Sequence, residues 1–436
     1  MKIAVVGGGS TYTPELIDGF ARLADQVQIT EIVLVDPDQS RLSVVGPFSA
    51  RIMRRYGHPA TVRWSADLDD GLDGAGAVLI QLRIGGQAAR HRDETWPGKC
   101  GCLGQETTGA GGFAKALRTV PVVLDIAERA RARASSGAWL IDFTNPVGIV
   151  TRALLDAGHR AIGLCNVAIG FQRIFAGMLG VEPERISLEH VGLNHLTWER
   201  AVLLDGTDVL PDLIASHGDE LASLIRLPRS VIELTGSIPS YYLRYFYAHD
   251  QVVAEQRTGP TRAEQVAQIE QELLAMYADP ALDRKPELLG QRGGAFYSEA
   301  AVALLASLVN DTGDTQVVNV RNNGTMPFLP DDAVIEVASV IGKHGAMPVG
   351  FAPIGPLMRG LTAHVSAYEE LAVQAARLGG RDLVFEAMLA HPLIGQYDKA
   401  EQLTDLLLAE NAAFLPWADG AGAGDGPVLG TTASGS

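Results

Sequence analysis

The sequence predicts an α/β fold: a doubly wound parallel sheet over residues 1–165, then a mixed α+β region over 166–417. Two observations lead there. Up to residue 165 short apolar runs alternate with amphipathic helical segments, and strands separated by helices pair in parallel. Beyond that point partly alternating apolar residues are interspersed with longer helical patterns.

Ile3-Ala4-Val5-Val6 is a buried-strand run. Thr13-Pro14-Glu15 reads as a helix start, with a capping hydroxyl, an early proline and an acid in the first turn. Leu16, Ile17, Phe20 and Leu23 then share one helical face. Ile32 to Val35, Ala77 to Leu82, Trp139 to Phe143 and Ala161 to Leu164 are the further strands. In the second half, Ile186 to Leu204 should form antiparallel strands, and 261–277, 298–309 and 356–378 should be helices packing against the parallel sheet. Residues 418–436, made of Gly, Ala, Ser and Thr with few apolar side chains, read as a disordered tail.

Composition limits the function. Against 35 Lys and Arg stand 51 Asp and Glu, a formal charge of −16, which argues against a nucleic-acid or membrane-surface partner. No apolar run reaches the length of a membrane span, and the short run after Lys2 is stopped by Gly7-Gly8-Gly9, unlike a signal peptide. Three cysteines cannot frame a chain of 436 residues with disulfides, so the expectation is a cytoplasmic protein with reduced thiols.

Gly7-Gly8-Gly9-Ser10 follows a strand and precedes a helix. Such glycines let the backbone approach a pyrophosphate, which then sits at a helix N-terminus. Asp36 ends the next strand, where a carboxylate accepts hydrogen bonds from a ribose diol and repels a 2′-phosphate, favouring NAD. Gly7, Gly9, Ser10, Thr11 and Asp36 are therefore the cofactor candidates, and the parallel sheet reads as Rossmann-like. Tyr12 stands where a third glycine is usual, and a purely structural glycine turn remains open.

Several chemically capable residues fall at strand carboxyl ends, where open α/β sheets bind ligands. Cys165 and Asn166 follow one strand, and His195 lies 30 residues on in Gly192-Leu193-Asn194-His195. A thiolate and an imidazole can share a divalent cation and leave positions open for substrate, or be a buried Cys and a hydrogen-bonded core His. Asn145, held before Pro146, faces a crevice or makes a turn. Arg83, Arg90 and Arg92 suit a phosphate or carboxylate, or form a solvated loop. Glu106 is a base, a supporting carboxylate or a cap, and Tyr241, Tyr242, Tyr245 and Tyr247 fill one short stretch.

Together these pieces resemble glycoside hydrolase family 4, the NAD- and metal-dependent glycosidases. The resemblance rests on Gly7 to Thr11, Arg83 to Glu94, Gln105-Glu106-Thr107-Thr108-Gly109, Asp142 to Pro146, Gly163 to Val167, Gly192 to His195, Tyr242 to Tyr245 and Val318 to Gly324. Asn166 resembles the 6-phospho-β-glucosidase branch, since the α-acting branch usually has Asp there. Ala168 departs from the proline frequent in this branch. The resemblance implies Cys165 and His195 as metal ligands, typically for Mn²⁺, although this donor pair alone would suit Zn²⁺. It implies Arg90, Asn145 and Asn166 as substrate contacts and Arg262 as a phosphate contact. Tyr242 is the implied base and Glu106 the carboxylate that tunes it, with the doubled Tyr241-Tyr242 leaving two candidates for the base.

The implied reaction is hydrolysis by oxidation, elimination, addition and reduction, an exception to the two-carboxylate mechanism. NAD⁺ takes hydride from carbon 3 of the sugar, Tyr242 removes the acidified proton on carbon 2, the aglycone leaves, water adds and the hydride returns. The expected partner is a phosphorylated glycoside, with no nucleic acid and no membrane, in a homodimer or homotetramer. Alternatives are an NAD-dependent hydroxy-acid dehydrogenase, a family 4 glycosidase for an unphosphorylated or α-linked sugar, and a nucleotide-sensing binding protein without catalysis.

Overall fold

A computed structural model of the chain describes residues 1–294 and 296–418. The expected disordered tail lies outside the described residues apart from Ala418, which packs against the core. The strands are β1 (Lys2–Val6), β2 (Glu31–Val35), β3 (Thr61–Ser65), β4 (Ala77–Ile80), β5 (Trp139–Asp142), β6 (Ala161–Gly163) and β7 (Ile186–Leu193). They continue with β8 (Leu196–Leu204), β9 (Thr207–Asp208), β10 (Ile238–Pro239), β11 (Asp314–Arg321), β12 (Val334–Gly342) and β13 (Gly345–Pro348).

All belong to one sheet, whose central path runs β10-β8-β7-β12-β11-β6-β5-β4-β1-β2-β3. From β6 to β3 every pairing is parallel. The order 3-2-1-4-5-6 is that of the dinucleotide-binding doubly wound sheet. Strand β4 is buried along its whole length, as apolar strands covered by helices on both faces must be. Its neighbours β1 and β5 join it in a core with Leu16, Phe20, Phe113 and Leu117 from the covering helices.

The second half, expected to pack against the parallel sheet, also continues it. Its strands extend the same sheet: β11 pairs antiparallel with the short β6 at Asn319 and Gly163, and β12, β7 and β8 follow antiparallel. The physical reason is the open edge of β6, whose ladder groups need partners. The hairpin of β7 and β8 thereby carries its tight turn, Asn194-His195, to the region where β6 ends.

The first helix begins one residue earlier than the capping pattern implies. Thr13 is inside helix Thr13–Arg22, Tyr12 is the cap residue, and no side chain caps it. The Thr13 hydroxyl instead accepts a hydrogen bond from Gln81 Nε2 at 2.8 Å, tying the helix to the end of β4. Helix Arg262–Ala278 does begin on a reciprocal cap, with the Thr261 hydroxyl accepting from Glu264 N and the Glu264 carboxylate accepting from Thr261 N.

Candidate active site

The carboxyl ends of β1, β4, β5 and β6 open into a cavity of about 990 Å³. Ser10, Arg83, Asn145 and Asn166, one from the segment after each strand, line it. The other wall comes from the β7–β8 turn, through His195, and from the segments around Tyr242 and Arg262. Although the chain is acidic, seven arginines and Lys115 line this cavity against three glutamates. Such a concave positive surface concentrates anions.

Glu106 sits among three of these cations. Its carboxylate accepts from Arg83 Nη1, from Lys115 Nζ at 2.8 Å, and pairs with Arg90 Nη2 at 3.0 Å. Burial alone would raise its pKa, but the charges of Arg83, Lys115 and Arg90 hold it well below the usual carboxylate range. Burial lowers Lys115 to about 8, against the pull of Glu106. Arg90 is also braced by Glu94 at 2.7 Å, so its guanidinium is fixed at the cavity wall. Lys115 carries no motif. Its signal is positional: a lysine within the apolar first half of helix Gly109–Arg133, where a charge must find a partner.

The β7–β8 turn links Cys165 to the neighbourhood of His195, because Asn194, the residue before His195, reaches the Cys165 side chain. Cys165 is buried at the end of β6 and hydrogen-bonds the side chains of Asn194 and Tyr297. Asn194 is itself held by Glu336 Oε2 at 2.8 Å. Glu336 is one end of a buried row in which His190 lies 2.9 Å from it and 2.6 Å from Glu199. Burial pushes the Cys165 thiol up, with the charge of Glu336 adding to it, and burial pushes His195 down to about 4, so its ring is neutral. The Tyr242 ring stacks on His195, centroids 3.5 Å apart and planes 6° from parallel. Burial raises the Tyr242 phenol well above its ordinary value, helped by Cys165, Tyr245 and Glu106 and opposed by Arg90. The Tyr241 hydroxyl lies elsewhere, accepting from Arg244 Nη1 at 2.9 Å.

Among the described residues no three His, Cys, Asp or Glu side chains form a metal cluster. A cation at Cys165 and His195 would have two protein ligands and positions to spare for oxygens, an open site of the catalytic kind. The Asn145 Oδ1 is buried without a hydrogen-bond partner, and so is the Gln87 Oε1. Buried carbonyl oxygens of this kind want a donor, and Asn145, which lines the cavity, is where a ligand hydroxyl would supply one. Arg262, at the start of its helix, is anchored to Gln291 O at 2.7 Å and lines the cavity.

At the glycine turn, Gly7 has φ +87°, and a Cβ there would lie 2.4 Å from Gln81 O. A Cβ on Gly8 would meet Leu34 Cβ at 2.7 Å. Gly9 N donates to Asp36 Oδ2 at 3.0 Å, and Asp36 Oδ1 accepts from Asp38 N. Ser10 faces the cavity. Thr11 is fully buried, its hydroxyl donating to Glu270 at 3.1 Å and accepting from Arg292 Nε at 2.7 Å. The turn thus has the shape and helix N-terminus that fit a dinucleotide pyrophosphate. Arg292 and Tyr297 reach the site from far along the chain and carry no sequence signal.

Family models match nearly the whole chain: family 4 glycosyl hydrolase over residues 2–181 and the family 4 glycosyl hydrolase C-terminal domain over 190–394. The chain belongs to glycosyl hydrolase family 4. Within the family it is 33% identical to a 6-phospho-β-glucosidase of Thermotoga maritima, covering 95% of this chain and 99% of the relative. It is 32% identical to a 6-phospho-β-glucosidase of Escherichia coli, covering 95% and 96%, and 27% identical to a phospho-α-glucosidase of Clostridium acetobutylicum, covering 95% and 98%. A Thermotoga maritima 6-phospho-β-glucosidase structure solved with manganese, NAD⁺ and glucose-6-phosphate superposes with a TM-score of 0.90 at 33% identity, covering 95% of this chain and 99% of that one. Malate dehydrogenase from Plasmodium falciparum shares the fold alone, with a TM-score of 0.54 at 13% identity, covering 88% of this chain and 99% of that one.

Proposed function

We propose that this family 4 chain hydrolyses 6-phospho-β-glucosides with bound NAD and a divalent cation, typically manganese. The observation that carries this is the Tyr242 ring lying 3.5 Å from His195, with Cys165 beside it, in a cavity rich in arginine. The relatives support the anomeric preference, since the β-acting ones stand at 33% and 32% identity and the α-acting one at 27%.

When bound, NAD supplies a reversible hydride acceptor for the sugar, and the cation supplies Lewis-acid stabilisation of negative charge on its oxygens. Cys165 and His195 would hold the cation, and Gly7, Gly9, Ser10, Thr11 and Asp36 would shape the nucleotide site. Tyr242 Oη takes the proton from carbon 2 of the sugar. Its buried phenol needs positive charge nearby to ionise, and the neighbouring ligand pair is where that charge would sit. Glu106, clamped by Arg83, Arg90 and Lys115, sets the field in which that proton moves. Asn145, Asn166 and Arg90 orient the sugar, and Arg262 meets its phosphate.

The division we propose falls at residue 165: a nucleotide-binding domain over 1–165, which also lends Arg90, Glu106, Asn145 and Cys165 to the shared site, and a substrate-, cation- and subunit-contacting domain over 166–417. Exposed Leu234, Met347 and Leu378 are surfaces that a homodimer or homotetramer would cover. The described cysteines are unpaired, as in a reducing cytoplasm, and no described helix is long and apolar enough to cross a membrane.

The test is turnover of p-nitrophenyl β-glucoside with and without a 6-phosphate, adding or withholding NAD⁺ and Mn²⁺. Hydrolysis of the phosphorylated substrate only, requiring both additions and yielding no net NADH, is the expected result. Stoichiometric NADH would indicate a hydroxy-acid dehydrogenase. Turnover of the plain or α-linked glucoside would change the substrate, and nucleotide binding without any turnover would remove the enzyme.

A further inference from the structure

The segment Gln105-Glu106-Thr107 holds more than the carboxylate. The Thr107 Oγ1 lies 2.9 Å from His195 Nδ1 and 2.8 Å from Gln105 Oε1. The same Gln105 atom also accepts from the Thr107 backbone N–H. An atom that accepts from a peptide N–H is the amide oxygen, so the orientation of the Gln105 amide follows from the backbone.

The rest is donor arithmetic. The Gln105 oxygen has no hydrogen, so the Thr107 hydroxyl must donate its single proton to it. The hydroxyl then offers only lone pairs to His195, and Nδ1 must carry the hydrogen. In a neutral imidazole this leaves Nε2 as the nitrogen with the free lone pair. Tyr242, stacked flat on the ring, holds its plane.

We infer that Thr107, oriented by Gln105, is a positioning residue that selects the Nδ1–H tautomer of His195 and so presents Nε2 to the cation. This rests on the proposed role of His195 as a ligand. A hydrogen bond to the far nitrogen of a metal-bound imidazole fixes ring and tautomer and typically changes metal affinity 10–100-fold. Because two residues set the tautomer, removing either should relax it. Thr107→Val deletes the acceptor. Gln105→Leu leaves Thr107 in place but frees its hydroxyl to donate to Nδ1 instead, which favours the opposite tautomer.

The experiment is nitrogen NMR of the metal-free full chain labelled with ¹⁵N-histidine, with the His195 signals assigned by their loss in His195→Asn. Mn²⁺ titration of the same samples gives affinity. Wild type should show a protonated Nδ1 and an unprotonated Nε2. Thr107→Val and Gln105→Leu should populate Nε2–H and weaken Mn²⁺ binding about 10–100-fold, whereas Thr107→Ser should restore both. A wild-type Nε2–H tautomer overturns the inference, as does an unchanged tautomer in both variants. Should the tautomer shift while Mn²⁺ affinity stays level, and His195→Asn bind Mn²⁺ like wild type, the tautomer selection holds and the ligand role of His195 fails.

Discussion

The proposed reaction concentrates the chemistry on one phenol, that of Tyr242. Its ring touches His195, its acidity is set by burial, and Cys165 and Glu106 add to that effect. Removing the hydroxyl while keeping the ring preserves the stack and deletes the proposed proton acceptor. Tyr242→Phe should therefore lower kcat about 10²–10⁴-fold, with KM changing little, as steady-state kinetics will show. Tyr241→Phe should act weakly, because that hydroxyl is engaged with Arg244 and not with the ligand pair. Much of this scale was readable from sequence: Cys165, His195, Asn145 and Glu106 all sit in or beside the one cavity. Which tyrosine meets the histidine was not, since adjacent residues in a short turn point in directions that only packing decides. Tyr297 was illegible for a related reason, since it meets Cys165 across the fold, and Lys115 because no motif marks its pairing with Glu106 nine residues before it.

At the scale of elements, the strand–turn–helix at the N-terminus is the most legible unit, because glycines placed between an apolar run and a helix leave few alternatives. Its cap was misjudged: a Thr-Pro-Glu run looks like a helix start whether the threonine caps or sits one residue inside. In the fold the threonine is recruited by Gln81, 68 residues away, a competitor that local pattern cannot reveal. The turn has no room for side chains. A Cβ on Gly8 would stand 2.7 Å from Leu34 Cβ and 2.8 Å from Val35 N, against strand backbone that cannot yield. Gly8→Ala should push β1 from β2, costing about 1–3 kcal/mol in a denaturant titration, and calorimetry should find NAD⁺ binding weakened or lost.

The whole molecule is one continuous sheet in which the second half supplies both the hairpin bearing His195 and the helices that close the cavity. That continuity was hidden from the sequence because it depends on which edge an antiparallel strand chooses. The contact of Arg292 with Thr11, 281 residues apart, was hidden likewise. A pH consequence follows from Asp142, buried at the end of β5 and pushed up to about 8 by desolvation, against hydrogen bonds from Thr144 and Thr151. Because the folded state raises this pKa, its contribution to stability is full below the ordinary aspartate value of about 4 and is lost as pH climbs through about 8. Between pH 6.5 and 8.5 the wild type should lose on the order of 2 kcal/mol through this group. Asp142→Asn, which cannot ionise, should flatten that slope in urea titrations across the same range. An equally steep slope in the variant would mean that Asp142 is ionised in the fold.

The most direct measurement is deuterium exchange at carbon 2 of the sugar during hydrolysis of p-nitrophenyl β-glucoside 6-phosphate in D₂O, with NAD⁺ and Mn²⁺ present. If Tyr242 takes that proton, the released glucose 6-phosphate should carry solvent deuterium at carbon 2, and Tyr242→Phe should slow its appearance together with turnover. Glucose 6-phosphate released with its original hydrogen fully retained at carbon 2 would contradict proton abstraction there and, with it, the redox route to hydrolysis.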